Sequence, residues 1–154
     1  MVAATWLWRG RDDPRRVVEF ARRRRLAEVF VDPSAAGVAA LVDGLRAAGA
    51  GASCLGGDPR WVFDHAAALA WFREQSRRAR FTGVHVDVEP WVLPEWDGDR
   101  RGAVTGLVEL VEQLADRHRR IDVDLPAWLF DVEPVAAQRI LEVCSTVTVM
   151  AYRD

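Results

Sequence analysis

Cysteine is scarce in this 154-residue chain, and long apolar runs are missing. Cys54 and Cys144 show neither CxxC spacing nor a metal-binding pattern, so we interpret them as two small buried thiols. No segment reaches transmembrane length, which predicts no membrane partner. The N-terminus enters a strand-like segment without a charged leader and an apolar stretch. That pattern predicts no signal peptide, and a cytoplasmic location for the chain as it stands.

An excess of charge of one sign is missing as well. The chain has 21 Lys+Arg residues against 23 Asp+Glu residues, a formal net charge of -2. Its densest basic run, from Arg22 to Arg25, falls at the end of a predicted helix, where cations suit the negative end of the helix dipole. We therefore predict no nucleic acid partner.

Strand-like and helix-like segments alternate along the chain, with no Pro/Gly/Ser-rich linker between them. The predicted strands span residues 4–8, 26–32, 51–55, 83–91, 121–125 and 146–152, and the predicted helices span 14–24, 35–48, 65–78, 101–119 and 134–143. Asp13, Pro14 and Asp64 are residues typical of helix starts. Strands that alternate with helices predict a parallel sheet covered by those helices.

Such a series is typical of the α/β class and of the (β/α)8 TIM barrel, in which eight units close in about 250 residues. We interpret residues 1–154 as a single partial TIM-barrel domain with about six β/α units present. An open, doubly wound sheet is the alternative, but no glycine-rich phosphate loop follows the first strand. The two edge strands of an incomplete barrel are candidate surfaces for self-association.

Three ionisable side chains alternate with valines along the fourth predicted strand, residues 83–91. The ionisable residues are His85, Asp87 and Glu89. Because an extended strand points successive side chains to opposite faces, these three share one face and the valines share the other. If the valines face the covering helices, the ionisable groups face the interior, where an unpaired ion costs roughly several kcal/mol. This pattern indicates a functional site.

The same segment carries part of an acidic motif. Thr82, His85, Asp87 and Glu89 occupy the four positions of Asp-x-x-Asp-x-Asp-x-Glu, and Asp87 and Glu89 match the last two. Two neighbouring carboxyl groups hold one proton above the ordinary pKa, which keeps an acid available near neutral pH.

The sixth predicted strand ends in Met150-Ala151-Tyr152, a Met-x-Tyr pattern, with Asp154 two residues beyond it. Together the two motifs resemble those of the family 18 glycoside hydrolases, the chitinase-like TIM barrels, which carry the first on strand four and the second on strand six. The resemblance covers most of the chain in architecture but only about a dozen residues in detail.

The resemblance implies acid-assisted hydrolysis of a glycosidic bond in a carbohydrate substrate, with no cofactor and no metal. Glu89 is then the proton donor to the leaving oxygen. Asp87 orients and stabilises the substrate's own N-acetyl group as it attacks the anomeric carbon, and Tyr152 donates to the acetamido oxygen. Because His85 stands where the family has an aspartate, we expect proton handling to differ, with His85 as a candidate hydrogen-bond partner of Asp87.

Residues near the ends of strands four to six are the candidate sugar contacts. An indole ring covers the apolar face of a pyranose while its N–H stays free to bond. The predicted substrate-binding residues are Trp91, Trp128, Asp124, His85, Met150 and Asp154. Trp6 and Trp8, on the first strand, are predicted to pack in the core instead.

Two other functions fit the same surface. Carboxylates and an imidazole at the mouth of a barrel suit a divalent cation, as in a metal-dependent sugar isomerase-like barrel, although Met150-Ala151-Tyr152 then has no role. A noncatalytic carbohydrate-binding relic of a hydrolase would use the acids for hydrogen bonding alone. We favour the hydrolase because both motifs fall on the strands where the resemblance places them.

Overall fold

The computed structural model describes residues 3–8 and 13–151. The strands are β1 (Ala4–Leu7), β2 (Glu28–Val31), β3 (Gly51–Gly56), β4 (Gly83–Val86), β5 (Ile121–Pro126) and β6 (Thr146–Met150). The helices are α1 (Pro14–Arg24), α2 (Val38–Ala47), α3 (His65–Gln75), α4 (Arg100–Ala115), α5 (Ala127–Val132) and α6 (Pro134–Val143). Short 3-10 turns at Pro59–Val62 and Pro90–Val92 follow β3 and β4.

The six strands form one sheet in the order β1-β2-β3-β4-β5-β6. Parallel register pairs Thr5 with Val29, Val29 with Ala52, and Asp124 with Thr148. A doubly wound sheet reverses its strand order at a switch point, whereas a barrel adds each strand beside the previous one. The predicted fold class is therefore confirmed: the described strands are six units of a (β/α)8 TIM-barrel type fold.

The chain divides into two compact units. Of the described residues, the first unit holds those up to Leu55 together with Phe72–Val84, and the second holds Gly56–Trp71 together with those from His85 to Ala151. The assignment of residues 1–154 to a single domain stays a prediction.

The core of the first unit lies between its strands and two helices. Val29 of β2 packs with Leu41 and Leu45 of α2, and all three side chains are buried. Gly44 lets α1 approach α2 closely, since a Cβ at that position would lie 2.9 Å from Val18 Cγ2. Apolar faces of helices and sheet thus bury each other, as the alternating pattern of the sequence requires.

Trp6 of β1 and Trp8, which follows β1, depart from the prediction. Trp6 is 37% exposed and Trp8 is 49% exposed, so the prediction that they pack in the core is wrong. Trp6 contacts Phe30 edge-on, with ring centroids 5.3 Å apart. Among the described strands, β1 pairs with β2 alone, and an edge strand has less protein around its side chains than a central one.

In the second unit, the six residues of β5 are all buried. Gly106 of α4 lies against the turn after β3, because a Cβ there would be 2.0 Å from the Val62 carbonyl oxygen. His65 of α3 bonds to α4 twice: its Nε2 lies 2.8 Å from the Gly106 oxygen and its Nδ1 lies 3.0 Å from Gln113 Nε2. These partners assign the Nε2–H tautomer, in which Nε2 donates and Nδ1 accepts.

The helix starts follow the capping residues that the sequence shows. Asp13 accepts a hydrogen bond from Arg15 N at 2.9 Å, and Asp64 accepts one from Ala67 N at 3.0 Å. The short helix α5 was not predicted, because six residues are too few to show a helical period. Among the described helices, none has both the length and the apolar character that a membrane crossing needs.

Candidate functional site

Most of the predicted site residues lie in the second unit, near the ends of β4 and β5. β4 ends at Val86, so Asp87 and Glu89 lie just beyond its carboxyl end. In barrel enzymes this end of the strands carries the catalytic groups. Tyr152 and Asp154 lie outside the described residues, so their roles stay predictions.

A buried pair joins β4 to β5. His85 Nε2 lies 2.8 Å from Asp124 Oδ2, and the two side chains are 0% and 2% exposed. We expected the imidazole to bond to Asp87, but its carboxylate partner lies on the neighbouring strand. This close approach offsets part of the cost of burying the two groups. With so little exposed surface, His85 and Asp124 suit an indirect role better than direct sugar contact, which stays a prediction for both.

The end of β3 holds the backbone of Asp87. The Asp87 N–H donates to the Gly56 carbonyl oxygen at 3.0 Å. Gly57 packs so closely on Asp87 that a Cβ on it would lie 1.8 Å from the Asp87 carbonyl oxygen, so a larger residue requires a backbone shift. Gly57 is not among the predicted site residues. The available signal was a glycine pair at the end of a predicted strand.

The surroundings of Asp87 favour the protonated form of its carboxyl group. Burial, followed by the negative charges of Asp124 and Glu89, raises its pKa from 3.8 to about 6, while His85 acts in the opposite direction. Asp87 Oδ1 is buried and accepts no hydrogen bond from the residues that the structure describes. An acid of this kind exchanges its proton close to neutral pH.

Glu89 is oriented by the indole that follows it. Trp91 Nε1 donates to Glu89 Oε2 at 3.0 Å. Pro90 begins the 3-10 turn that contains Trp91, and its fixed φ restricts the path of the chain directly after Glu89. The indole N–H is therefore engaged with the predicted acid, where the sequence reading expected it to be free.

Three tryptophans cluster beside Glu89. The ring centroids of Trp91 and Trp128 are 5.4 Å apart, those of Trp96 and Trp128 are 5.9 Å apart, and the rings meet edge to face. Arg100 Cζ lies 5.2 Å from the Trp96 centroid and 5.4 Å from the Trp128 centroid, within cation–π range. All three rings are half-buried. The three rings form one aromatic cluster, and sugar binding by Trp91 and Trp128 stays a prediction.

The remaining residues of interest on β5 and β6 are Asp122 and Met150. Asp122 Oδ2 accepts from Arg120 Nε at 3.0 Å, so this second acid of β5 belongs to another ion pair. Met150 ends β6 in register with Pro126 and is half-buried. Within residues 3–8 and 13–151, no three His, Cys, Asp or Glu side chains are grouped so as to hold a metal ion.

No protein-family model matches the chain, and no curated protein matches it by sequence. Among solved structures, it is similar to a variant of the glycoside hydrolase domain of PelA from Pseudomonas aeruginosa, with a TM-score of 0.51 and 16% sequence identity. The match covers 96% of this chain and 66% of that one, so this chain spans slightly less than two thirds of the length of its neighbour. At this identity, the likeness shows a shared fold.

Proposed function

We propose that this chain is part of a glycoside hydrolase-like barrel that cleaves glycosidic bonds by acid-assisted hydrolysis, with Glu89 as proton donor and Asp87 as its partner. The observation that carries the proposal is the state of Asp87, a carboxyl whose pKa is raised to about 6 and which lies close to a second carboxyl beyond the end of a barrel strand. The fold shared with a glycoside hydrolase domain supports the same reaction class.

The proposed chemistry moves one proton and exchanges bonds at the anomeric carbon. Glu89 gives its proton to the glycosidic oxygen as the bond between that oxygen and C1 breaks. The oxygen of the substrate's acetamido group bonds to C1, while Asp87 accepts a hydrogen bond from the acetamido N–H. Water then attacks C1, the acetamido oxygen leaves, and the proton of the water returns to Glu89.

The substrate class we propose is the N-acetylated oligosaccharides, as for chitinase-like enzymes. Support comes from Asp87 and Glu89 in the β4 motif and from Met150 at the end of β6, where Tyr152 follows in sequence. Trp91, hydrogen-bonded to the proposed acid, brings apolar ring surface next to the site of bond cleavage.

The test is a Glu89→Gln variant of the whole protein, measured on N-acetylated, β-linked oligosaccharides. Glutamine keeps the size of the side chain and an oxygen that accepts the Trp91 N–H, but it does not deliver a proton. Turnover is expected to fall by about 10²-fold or more while affinity changes little.

The matched control is Glu95→Gln, the same change at an exposed residue that pairs with Arg60, and it is expected to keep full turnover. Equal turnover of Glu89→Gln and the unmodified protein contradicts the acid assignment. If both bind the sugar and neither cleaves it, the noncatalytic carbohydrate-binding function replaces the hydrolase.

A further inference from the structure

We propose that His85 and Asp124 act as a positioning pair for Asp87, with Asp124 supplying from β5 the acid that the β4 motif lacks at residue 85. This inference rests on the proposed function, since the pair matters to catalysis only if Asp87 works beside Glu89. Neither His85 nor Asp124 needs to touch the substrate in this role.

The geometry fixes the pair in place. His85 is the third residue of β4, and Asp87 directly follows the end of this strand. Asp124 meets His85 Nε2 from β5 at 2.8 Å, and neither side chain is more than 2% exposed. A carboxylate enclosed in this way has little freedom to turn away, so its charge stays at a constant distance from Asp87.

The charges that face Asp87 come from two strands. Asp124 lies on β5, while His85 and Glu89 belong to the same segment as Asp87. The end of β3 contributes the glycine backbone of Gly56 and Gly57 to the contact. Of the two acids, Asp124 is the fully buried one, so solvent and salt screen its effect on Asp87 least.

An ion pair that only joined β4 to β5, with no electrostatic effect on Asp87, would look similar but behave differently. Its loss would lower the free energy of unfolding, and Asp87 would titrate as before. In the positioning role, removing the charge of Asp124 makes the ionised form of Asp87 easier to reach. The titration of Asp87 therefore separates the two roles, whether or not the protein is active.

The experiment is a carboxyl ¹³C NMR titration of the whole protein, without substrate and with chelator present. In Asp124→Asn, the midpoint of Asp87 is expected to fall from about 6 toward 3.8, by about one pH unit. Asp122→Asn is the matched control, because Asp122 is equally buried on the same strand but pairs with Arg120. In the control, Asp87 is expected to titrate near 6 as before.

An unchanged Asp87 midpoint in Asp124→Asn overturns the positioning role. If that variant does not fold, His85→Gln is measured, whose amide nitrogen keeps a donor for Asp124. Loss of the imidazole is expected to raise the Asp87 midpoint, and a fall overturns the proposal.

The failure of this inference and the failure of the proposed function give different results. If the protein does not hydrolyse the oligosaccharide but Asp124→Asn still lowers the Asp87 midpoint, the proposed function is wrong and the effect of the pair on Asp87 is retained.

Discussion

At the scale of single residues, Asp87 connects the proposed chemistry with the stability of the fold. Its ionised form is disfavoured by burial and by two neighbouring acids, so its pKa in the folded chain is about 6 against an ordinary 3.8. The folded state therefore binds the proton more tightly than the unfolded state between these two values. The stability that this proton contributes is fully present below 3.8 and is lost as the pH rises through about 6.

Asp87→Asn is expected to stabilise the protein at neutral pH, because it removes a charge that the fold disfavours. Asp87 is half-buried and water screens part of the effect, so we expect the free energy of unfolding to rise by about 1 kcal/mol. Urea unfolding at about pH 7.5 and about pH 4 measures the change. The two proteins should converge at the lower pH, and a variant less stable at pH 7.5 contradicts this origin of the pKa.

The sequence predicts some relations between residues at the site and not others. Alternation along an extended strand predicts a common face for His85, Asp87 and Glu89. The predicted strand over residues 83–91 is too long, because β4 ends at Val86, and Asp87 and Glu89 lie beyond it. The pairing of His85 with Asp124 depends on how β4 and β5 lie side by side, and no pattern within either segment specifies it.

At the scale of elements, the contacts that hold Asp87 and Glu89 come from the segments that follow the strands. The loop after β3 reaches Asp87 through Gly57, and the turn after β4 brings Trp91 to Glu89. Strand and helix positions were predictable from periodicity and capping residues such as Asp64. The Gly57–Asp87 contact was not, because it joins segments that are distant in sequence. The Trp91–Glu89 bond was not, because it depends on the 3-10 turn at Pro90–Val92.

Gly57→Ala is expected to disturb the site through this contact. A Cβ would lie 1.8 Å from the Asp87 carbonyl oxygen, so either the loop or Asp87 has to move, at a cost of about 1–3 kcal/mol in the free energy of unfolding. Urea unfolding measures the loss, and turnover should fall with it.

Gly98→Ala is the control, since a Cβ there would meet its nearest atom, the Glu95 carbonyl oxygen, at an ordinary 3.5 Å. Its effect is expected to stay within about 0.5 kcal/mol. If the two alanine variants are equally stable, the close contact at Gly57 does not constrain Asp87.

At the scale of the whole molecule, the alternation of strands and helices was enough to predict the fold class. The sheet adds each strand beside the one before it, with β1 and β6 at the two ends of the order. Edge strands of parallel sheets are pairing surfaces. Exposure of the first-strand tryptophans was missed because burial depends on neighbours that a local pattern does not contain.

Self-association through a sheet edge is the proposal at this scale. Sedimentation over a range of concentrations is expected to show association of the chain, weakened about tenfold or more by Val149→Arg, since Val149 lies on β6 and is 49% exposed. Val135→Arg is the matched control, because Val135 is 75% exposed but lies on α6. A monomer at all concentrations, or an equal effect of both variants, contradicts association through β6.

The role of Glu89 as proton donor is tested most directly by the dependence of turnover on the leaving group. Turnover of the whole protein and of Glu89→Gln is compared on an N-acetylated oligosaccharide and on an aryl glycoside of the same sugar whose phenol leaves without protonation. An acid role predicts a loss of about 10²-fold or more on the oligosaccharide and a much smaller loss on the aryl glycoside. Equal losses on both substrates would contradict the assignment of Glu89 as the acid.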